Sequence, residues 1–174
     1  MRDTEIIEAL QRKLAVPGGR HLYGILGSYQ QLAAFAEKLQ EARTPEGGYF
    51  PAAVSLNNGI LQSIPDEEFR HLVENEAKRP EPTVKHIARA FESFLRKTLQ
   101  QQGLTVLVQL ELIFAYQIEL YLLRTLAADD YRLILLLPGK RQGGSVVMFP
   151  DYGEGNYRLP SNLIADNHLW EITD

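Results

Sequence analysis

The sequence predicts a three-layer α/β fold, with a mainly parallel sheet and helices on both of its faces. Three observations carry this. Short apolar runs such as Leu104–Val108 and residues 132–137 are bounded by glycine or proline and read as strands buried on both faces. Between them lie stretches whose apolar residues recur at spacings of three and four, as amphipathic helices require. The two kinds of segment alternate along the chain, and strands joined through helices pair in parallel.

Taken in order, Ile6, Ile7, Leu10 and Leu14 share one helical face, and Pro17-Gly18-Gly19 ends that helix. Residues 22–26 read as a buried strand, Gly27-Ser28 as a turn, and Leu32, Phe35, Ala36 and Leu39 as the inward face of a second helix. A polar loop closed by Gly47-Gly48 leads to a second strand over residues 50–56, which Pro51 restricts to a start at Ala52. Ser63 is expected to cap the next helix, with Pro65 near its first turn and Asp66, Glu67 and Glu68 at the positive end of its dipole. Phe69, Leu72 and Val73 are expected to face inward from it.

Pro80 and Pro82 precede a longer helix whose inward face is Val84, Ile87, Ala88, Phe91, Phe94, Leu95 and Leu99, stopped by Gly103. The strand Leu104–Val108 is followed by a helix over residues 116–127 and a strand over residues 132–137, which Pro138-Gly139 ends. Residues 145–149 and 168–172 are later strands, joined by a loop rich in glycine, proline and asparagine. No repeat, low-complexity tract or linker divides the chain, so residues 1–174 are read as a single domain.

Composition narrows the functional classes. A net charge of −4 gives no global attraction to nucleic acid, so any such contact needs a local basic patch. The absence of cysteine excludes disulfides, thiolate nucleophiles and cysteine-ligated zinc together. The polar start, Met1-Arg2-Asp3-Thr4-Glu5, is unlike a signal or transit peptide. The apolar stretch at residues 104–126 is interrupted by Gln109, Glu111, Gln117, Glu119 and Arg124, which fits two short elements better than a membrane span. A cytoplasmic location with no membrane partner is therefore expected.

In open parallel sheets, ligands bind beyond the carboxyl ends of the strands. Gly24-Ile25-Leu26-Gly27-Ser28 reaches such an end and opens onto a helix, whose first backbone N–H groups and dipole favour phosphate. A working phosphate loop of the Walker type has the pattern G-x-x-x-x-G-K-[ST]. Its lysine neutralises phosphate charge and its hydroxyl holds Mg²⁺. Here Gly27-Ser28 is followed by Tyr29-Gln30-Gln31, with no lysine before Lys38, and the favoured reading is a tight strand-to-helix turn with no ligand. The third strand is weakened in the same way. Val106-Leu107-Val108 leads to Gln109 where an acid is expected, and Glu111 follows two residues later. Lys140-Arg141, in the loop from Pro138 to Gly144, sits at the same sheet edge and is a source of positive charge.

The order of these segments resembles that of the small P-loop-containing protein of BREX phage-resistance systems, over residues 19–139. The resemblance is carried by Val54-Ser55-Leu56-Asn57, by residues 106–114 (VLVQLELIF) and by Leu135-Leu136-Leu137-Pro138-Gly139. In that family a Gly-Lys-Thr turn precedes the first helix and an aspartate lies on the third strand. This chain matches the apolar frame and departs at both chemical positions. Ser28 falls near the hydroxyl position and Glu111 matches an acid further along the strand. The resemblance implies a P-loop NTPase-like fold and a role in antiviral defence, but not ATP hydrolysis.

Other constellations favour plain readings. His21, His71, His86 and His168 have no ligand spacing, so no metal site is expected. Ser145 lacks a nucleophile elbow, and Asp129-Asp130 fits a turn cap better than an acid–base pair. Tyr152, Tyr157 and Trp170 are expected to pack over the sheet. The leading functional expectation is a non-catalytic interaction subunit of a larger complex, with defence-complex proteins as partners, self-association as an option and no required cofactor. One alternative is a nucleotide-binding switch or weak NTPase, holding ATP or another nucleotide through Gly24, Gly27, Ser28, Glu111, Lys140 and Arg141. The other is a nucleic-acid-binding accessory module.

Overall fold

The computed structural model describes residues 1–78, 80–152 and 157–173, the side chain of Tyr152 excepted; Gly153, Glu154, Gly155 and Asn156 lie outside them. The chain opens with α1 (Asp3–Leu14), β1 (Leu22–Gly27) and α2 (Tyr29–Glu41). It continues through β2 (Val54–Ser55), α3 (Leu56–Gln62), α4 (Asp66–Asn75) and α5 (Pro80–Gln102). Then come β3 (Leu104–Val108), α6 (Glu111–Ala115), α7 (Tyr121–Leu126) and β4 (Arg132–Gln142). The described residues end with β5 (Ser145–Met148), β6 (Arg158–Leu159) and β7 (Leu169–Glu171).

The main sheet has the order β2-β3-β4-β1-β7, and each of its neighbouring pairs is parallel. Successive side chains on a strand point to opposite faces, and the two faces build separate cores. Tyr23 and Ile25 of β1, Val106 of β3, and Ile134 and Leu136 of β4 pack under α1 and α2, against Leu10, Leu14, Phe35 and Leu39. Leu22, Leu26, Leu107, Leu133, Leu135 and Leu137 face the other way, under Leu56, Ile60, Phe91, Leu95, Ile113 and Leu123 of α3, α5, α6 and α7. The sheet is thus covered on both faces, as expected for a three-layer α/β protein. Burying a leucine or phenylalanine of this kind stabilises by roughly 1.5–3 kcal/mol, so α5, with Ile87, Phe91, Leu95 and Leu99 buried, is the strongest anchor of its layer.

Several local expectations are corrected. The second strand is confined to Val54–Ser55, because the Ser55 hydroxyl accepts from the Asn58 amide and starts α3 at Leu56. Ser63 ends that helix: its hydroxyl donates to the Gly59 carbonyl, and α4 begins at Asp66 behind Pro65. On α4 only Leu72 turns inward, whereas Phe69 and Val73 are exposed. The helix expected over residues 116–127 is confined to α7 at Tyr121–Leu126; an unexpected short helix, α6, precedes it, and Gln117 at φ 52° lies between the two. Pro138-Gly139 does not end β4, which runs on to Gln142 and pairs antiparallel with β5. Lys140 and Arg141 therefore lie on a strand and not in a loop.

Two glycines set close approaches. A Cβ on Gly59 would lie 2.4 Å from the Phe94 ring, which fixes how closely α3 crosses α5. A Cβ on Gly24 would meet Leu169 at 2.7 Å and Ile164 at 2.8 Å. No helix of the described residues is long and apolar enough to cross a membrane.

Candidate functional site

Three strand ends converge on one side of the sheet. β1 ends at Gly27 beside Pro138 of β4, and β3 ends at Val108 beside Ser55 of β2. The chain leaves β1 toward α2 on one face, whereas it leaves β2 and β3 on the other face. The carboxyl ends around β1 and β4 are thus the place where connections diverge, the usual position of a ligand crevice in such sheets.

At the end of β1 the chain caps itself. The Ser28 hydroxyl accepts from the Gln31 amide at 3.2 Å, and the Gln31 side-chain oxygen accepts from the Ser28 amide at 2.9 Å. This reciprocal pair satisfies donors that a helix start otherwise leaves open. It also occupies two of the backbone N–H groups that a phosphate at this turn would use. Gly27 closes the strand, 3.4 Å from the Gln31 side chain at its Cβ position.

A second constellation spans α2, β2, α3 and α6. Glu111 is the first residue of α6, separated from the strand by Gln109 and Leu110, and both its oxygens are engaged. The Tyr29 hydroxyl donates to one at 2.8 Å and the Asn57 amide donates to the other at 2.8 Å. The Asn57 oxygen accepts from the Leu112 amide at 3.1 Å, so one side chain both orients the carboxylate and caps the helix that bears it. Gln109, at φ 55°, turns the chain between β3 and α6. Its side-chain oxygen accepts from the Ser55 hydroxyl at 2.5 Å, and its carbonyl accepts from the Asn57 amide nitrogen at 3.0 Å. A non-glycine residue in the left-handed region persists only where its surroundings hold it, and those two bonds do so here.

Between the two constellations and β7 lies a cavity of about 310 Å³, lined by Ser28, Tyr29, Gln31, Lys140, Asp151 and Glu171 among others. Its size is at the small end of ligand pockets. Its lining carries one lysine against two carboxylates, a charge balance that opposes anion entry.

The six residues marked in the sequence divide accordingly. Gly27, Ser28 and Lys140 line the cavity. Glu111 is held one layer away by Tyr29, which also lines it. Gly24 lies in the interior of β1, where its missing side chain makes room for Leu169 and Ile164. Arg141 turns from the turn toward β7: its guanidinium donates to the Leu169 carbonyl at 3.0 Å and lies 3.6 Å from Asp166. Sequence reasoning missed Asn57, Tyr29, Gln31 and Ser55. The spacing Ser28-x-x-Gln31 is a capping-box signature and was the readable signal for one of them; the partners of Glu111 come from elements 54 and 82 residues away.

The aromatic trio separates. Tyr157 packs edge-on against Phe114 and Phe149, whereas Trp170 stacks on Tyr23 at 6.1 Å on the other side of the sheet. The side chain of Tyr152 lies outside the described residues. Asp129 accepts from the Gly19 amide at 3.1 Å, a turn cap as its sequence position suggested. Comparison with family models, with curated proteins and with solved structures finds no match. The geometry thus defines a parallel α/β protein with a self-satisfied polar face at its strand ends.

Proposed function

We propose that this chain is a non-catalytic, P-loop-like interaction subunit of a larger assembly, and that bacterial antiviral defence is the setting to which its sequence resemblance points. The observation that carries the reading is the closure of the strand-end face by the chain's own groups. Ser28 and Gln31 fill each other's hydrogen bonds where a phosphate loop keeps its amides open. Tyr29 and Asn57 take both oxygens of the one acid near the third strand, where a hydrolytic site needs a carboxylate turned toward water or metal. Groups whose hydrogen bonds are filled within the fold stabilise that surface and offer a substrate fewer open contacts.

A second reading, a nucleotide-binding switch, is favoured by the cavity beside Gly27 and Ser28, with Lys140 at its rim. Calorimetric titration with ATP and GTP, each with Mg²⁺, separates the two. The interaction reading predicts no heat of binding up to millimolar nucleotide. Saturable binding at micromolar concentration would overturn it in favour of the switch.

A further inference from the structure

At the opposite end of β1 from the glycine turn, two histidines 147 residues apart in sequence meet around one tyrosine. The sequence introduces both strands with the same triplet type, His21-Leu22-Tyr23 before and into β1, and His168-Leu169-Trp170 before and into β7. Parallel pairing of Gly24 with Leu169 and of Ile25 with Trp170 brings the triplets side by side. Tyr23, buried, has the His168 ring at 4.8 Å, the Trp170 ring stacked at 6.1 Å and the His21 ring at 6.0 Å. Its hydroxyl shares a 2.7 Å hydrogen bond with Nδ1 of His21. His21 Nε2 and His168 Nδ1 are buried and have no hydrogen-bond partner.

An imidazole buried with an unpartnered nitrogen is stable when neutral and costly when charged. The surroundings reinforce this. Burial is the main cause holding both imidazoles below the ordinary histidine range. Arg132 of β4 adds repulsion at His21; Lys13 of α1, and then His21 itself, add it at His168. Asp129 and the carbonyls of Gly18 and Val16 favour a proton on His21, and the Leu22 carbonyl favours one on His168, without reversing the direction. Burial also pushes the Tyr23 hydroxyl up to about 12, so it stays a neutral donor.

β7 is where such a charge has leverage. It is an edge strand of three residues whose ladder partner within the described sheet is β1 alone, with His168 directly before it and Ile172 directly after it; on its outer side the Arg141 guanidinium donates to the Leu169 carbonyl and the Met1 amino group to the Glu171 carbonyl. Glu171 and Ile172 form a wall of the strand-end cavity, and Glu171 also accepts from the Arg141 amide at 3.3 Å. A change at the histidine end therefore reaches the cavity through three residues of strand.

We propose that the His21–Tyr23–His168 cluster is an acid-sensitive latch that fixes β7 on β1 and thereby sets the wall of the strand-end cavity. In neutral solution the rings pack as uncharged aromatics. Protonation places one or two charges in a site that also faces Arg132 and Lys13, and β7 loosens.

The test is amide hydrogen exchange on the full chain at pH 7.5 and pH 5.5, corrected for the intrinsic pH dependence of exchange, with histidine NMR titration alongside. The latch predicts that the amides of residues 169–172 exchange several-fold faster at the lower pH relative to those of β3. It also predicts that His21 and His168 titrate below the ordinary imidazole value of about 6.5. His168→Phe, which keeps the ring and removes the titration, should diminish the acid response. If residues 169–172 are no more acid-sensitive than β3, or if His21 and His168 titrate at or above the ordinary imidazole value of about 6.5 in the unmodified chain, the proposal is overturned, whatever the variant does.

Discussion

At the residue scale, the arrangement around Glu111 is the clearest case of one side chain serving several others. Asn57 gives a hydrogen bond to Glu111 and receives one from the Leu112 amide, so Asn57→Ala leaves a half-buried carboxylate and a helix-start amide each short of a partner. Losses of this kind cost about 1–3 kcal/mol, and urea unfolding is expected to show a destabilisation in that range. Tyr29→Phe removes the hydroxyl's bond to Glu111 while the Asn57 bond remains, and should cost less, on the order of 0.5–1.5 kcal/mol. Gly59 makes a different demand. A methyl there would sit 2.4 Å from the Phe94 ring, and overpacking a helix crossing costs roughly 1–3 kcal/mol. Gly59→Ala is therefore expected to lower the urea midpoint without changing the slope of the transition. None of these three contacts was readable in the sequence. Each joins residues far apart along the chain, and no local pattern signals which amide will meet which carboxylate.

At the scale of elements, legibility followed the strength of the local pattern. The buried strands Leu22–Gly27 and Leu104–Val108 and the long helix α5 stood out, because each is apolar or periodic over its whole length and is stopped by glycine or polar loop residues. Failures came where a short segment had two readings. Residues 50–56 look like a strand until Ser55 caps a helix, and Pro138-Gly139 looks like a stop until β5 supplies an antiparallel partner. Phe69 and Val73 were placed inward by periodicity, yet α4 buries only Leu72. For α2, Ser28→Ala removes the oxygen that accepts from Gln31, and such cap losses typically cost about 1 kcal/mol. Circular dichroism during thermal unfolding should show a lowered midpoint, while Ser28→Asp, which keeps an acceptor, should restore most of it. For the β1–β7 pair the prediction concerns pH. His21 and His168 have lowered proton affinity in the fold, so the unfolded chain binds protons that the folded one does not. Their contribution to stability is complete above the ordinary imidazole value of about 6.5 and is lost progressively as pH falls below it. Urea midpoints measured between pH 8 and pH 5 are expected to fall on the acid side.

At the scale of the whole molecule, the sheet order places one end of β1 in a self-capped turn and the other in an aromatic cluster, with two apolar cores between them. The α/β class and the layering were readable because alternation of strands and helices leaves few arrangements. The strand order was not, since the sequence does not say how far each crossover travels. The candidate site was readable as an absence, a glycine turn without lysine and a strand without its acid. What occupies those positions instead came from the fold. The turn from Gly27 to Gln31 is closed by its own side chains, and the proposed function predicts that it holds no phosphate. The most direct test of that prediction is a titration of the ¹⁵N-labelled protein with pyrophosphate and then Mg²⁺–ATP, followed at the backbone amides of residues 27–31. The account predicts no saturable shift at these amides up to millimolar ligand. A saturable shift centred on the Ser28 and Gln31 amides would contradict it, since it would mean that phosphate displaces the capping box.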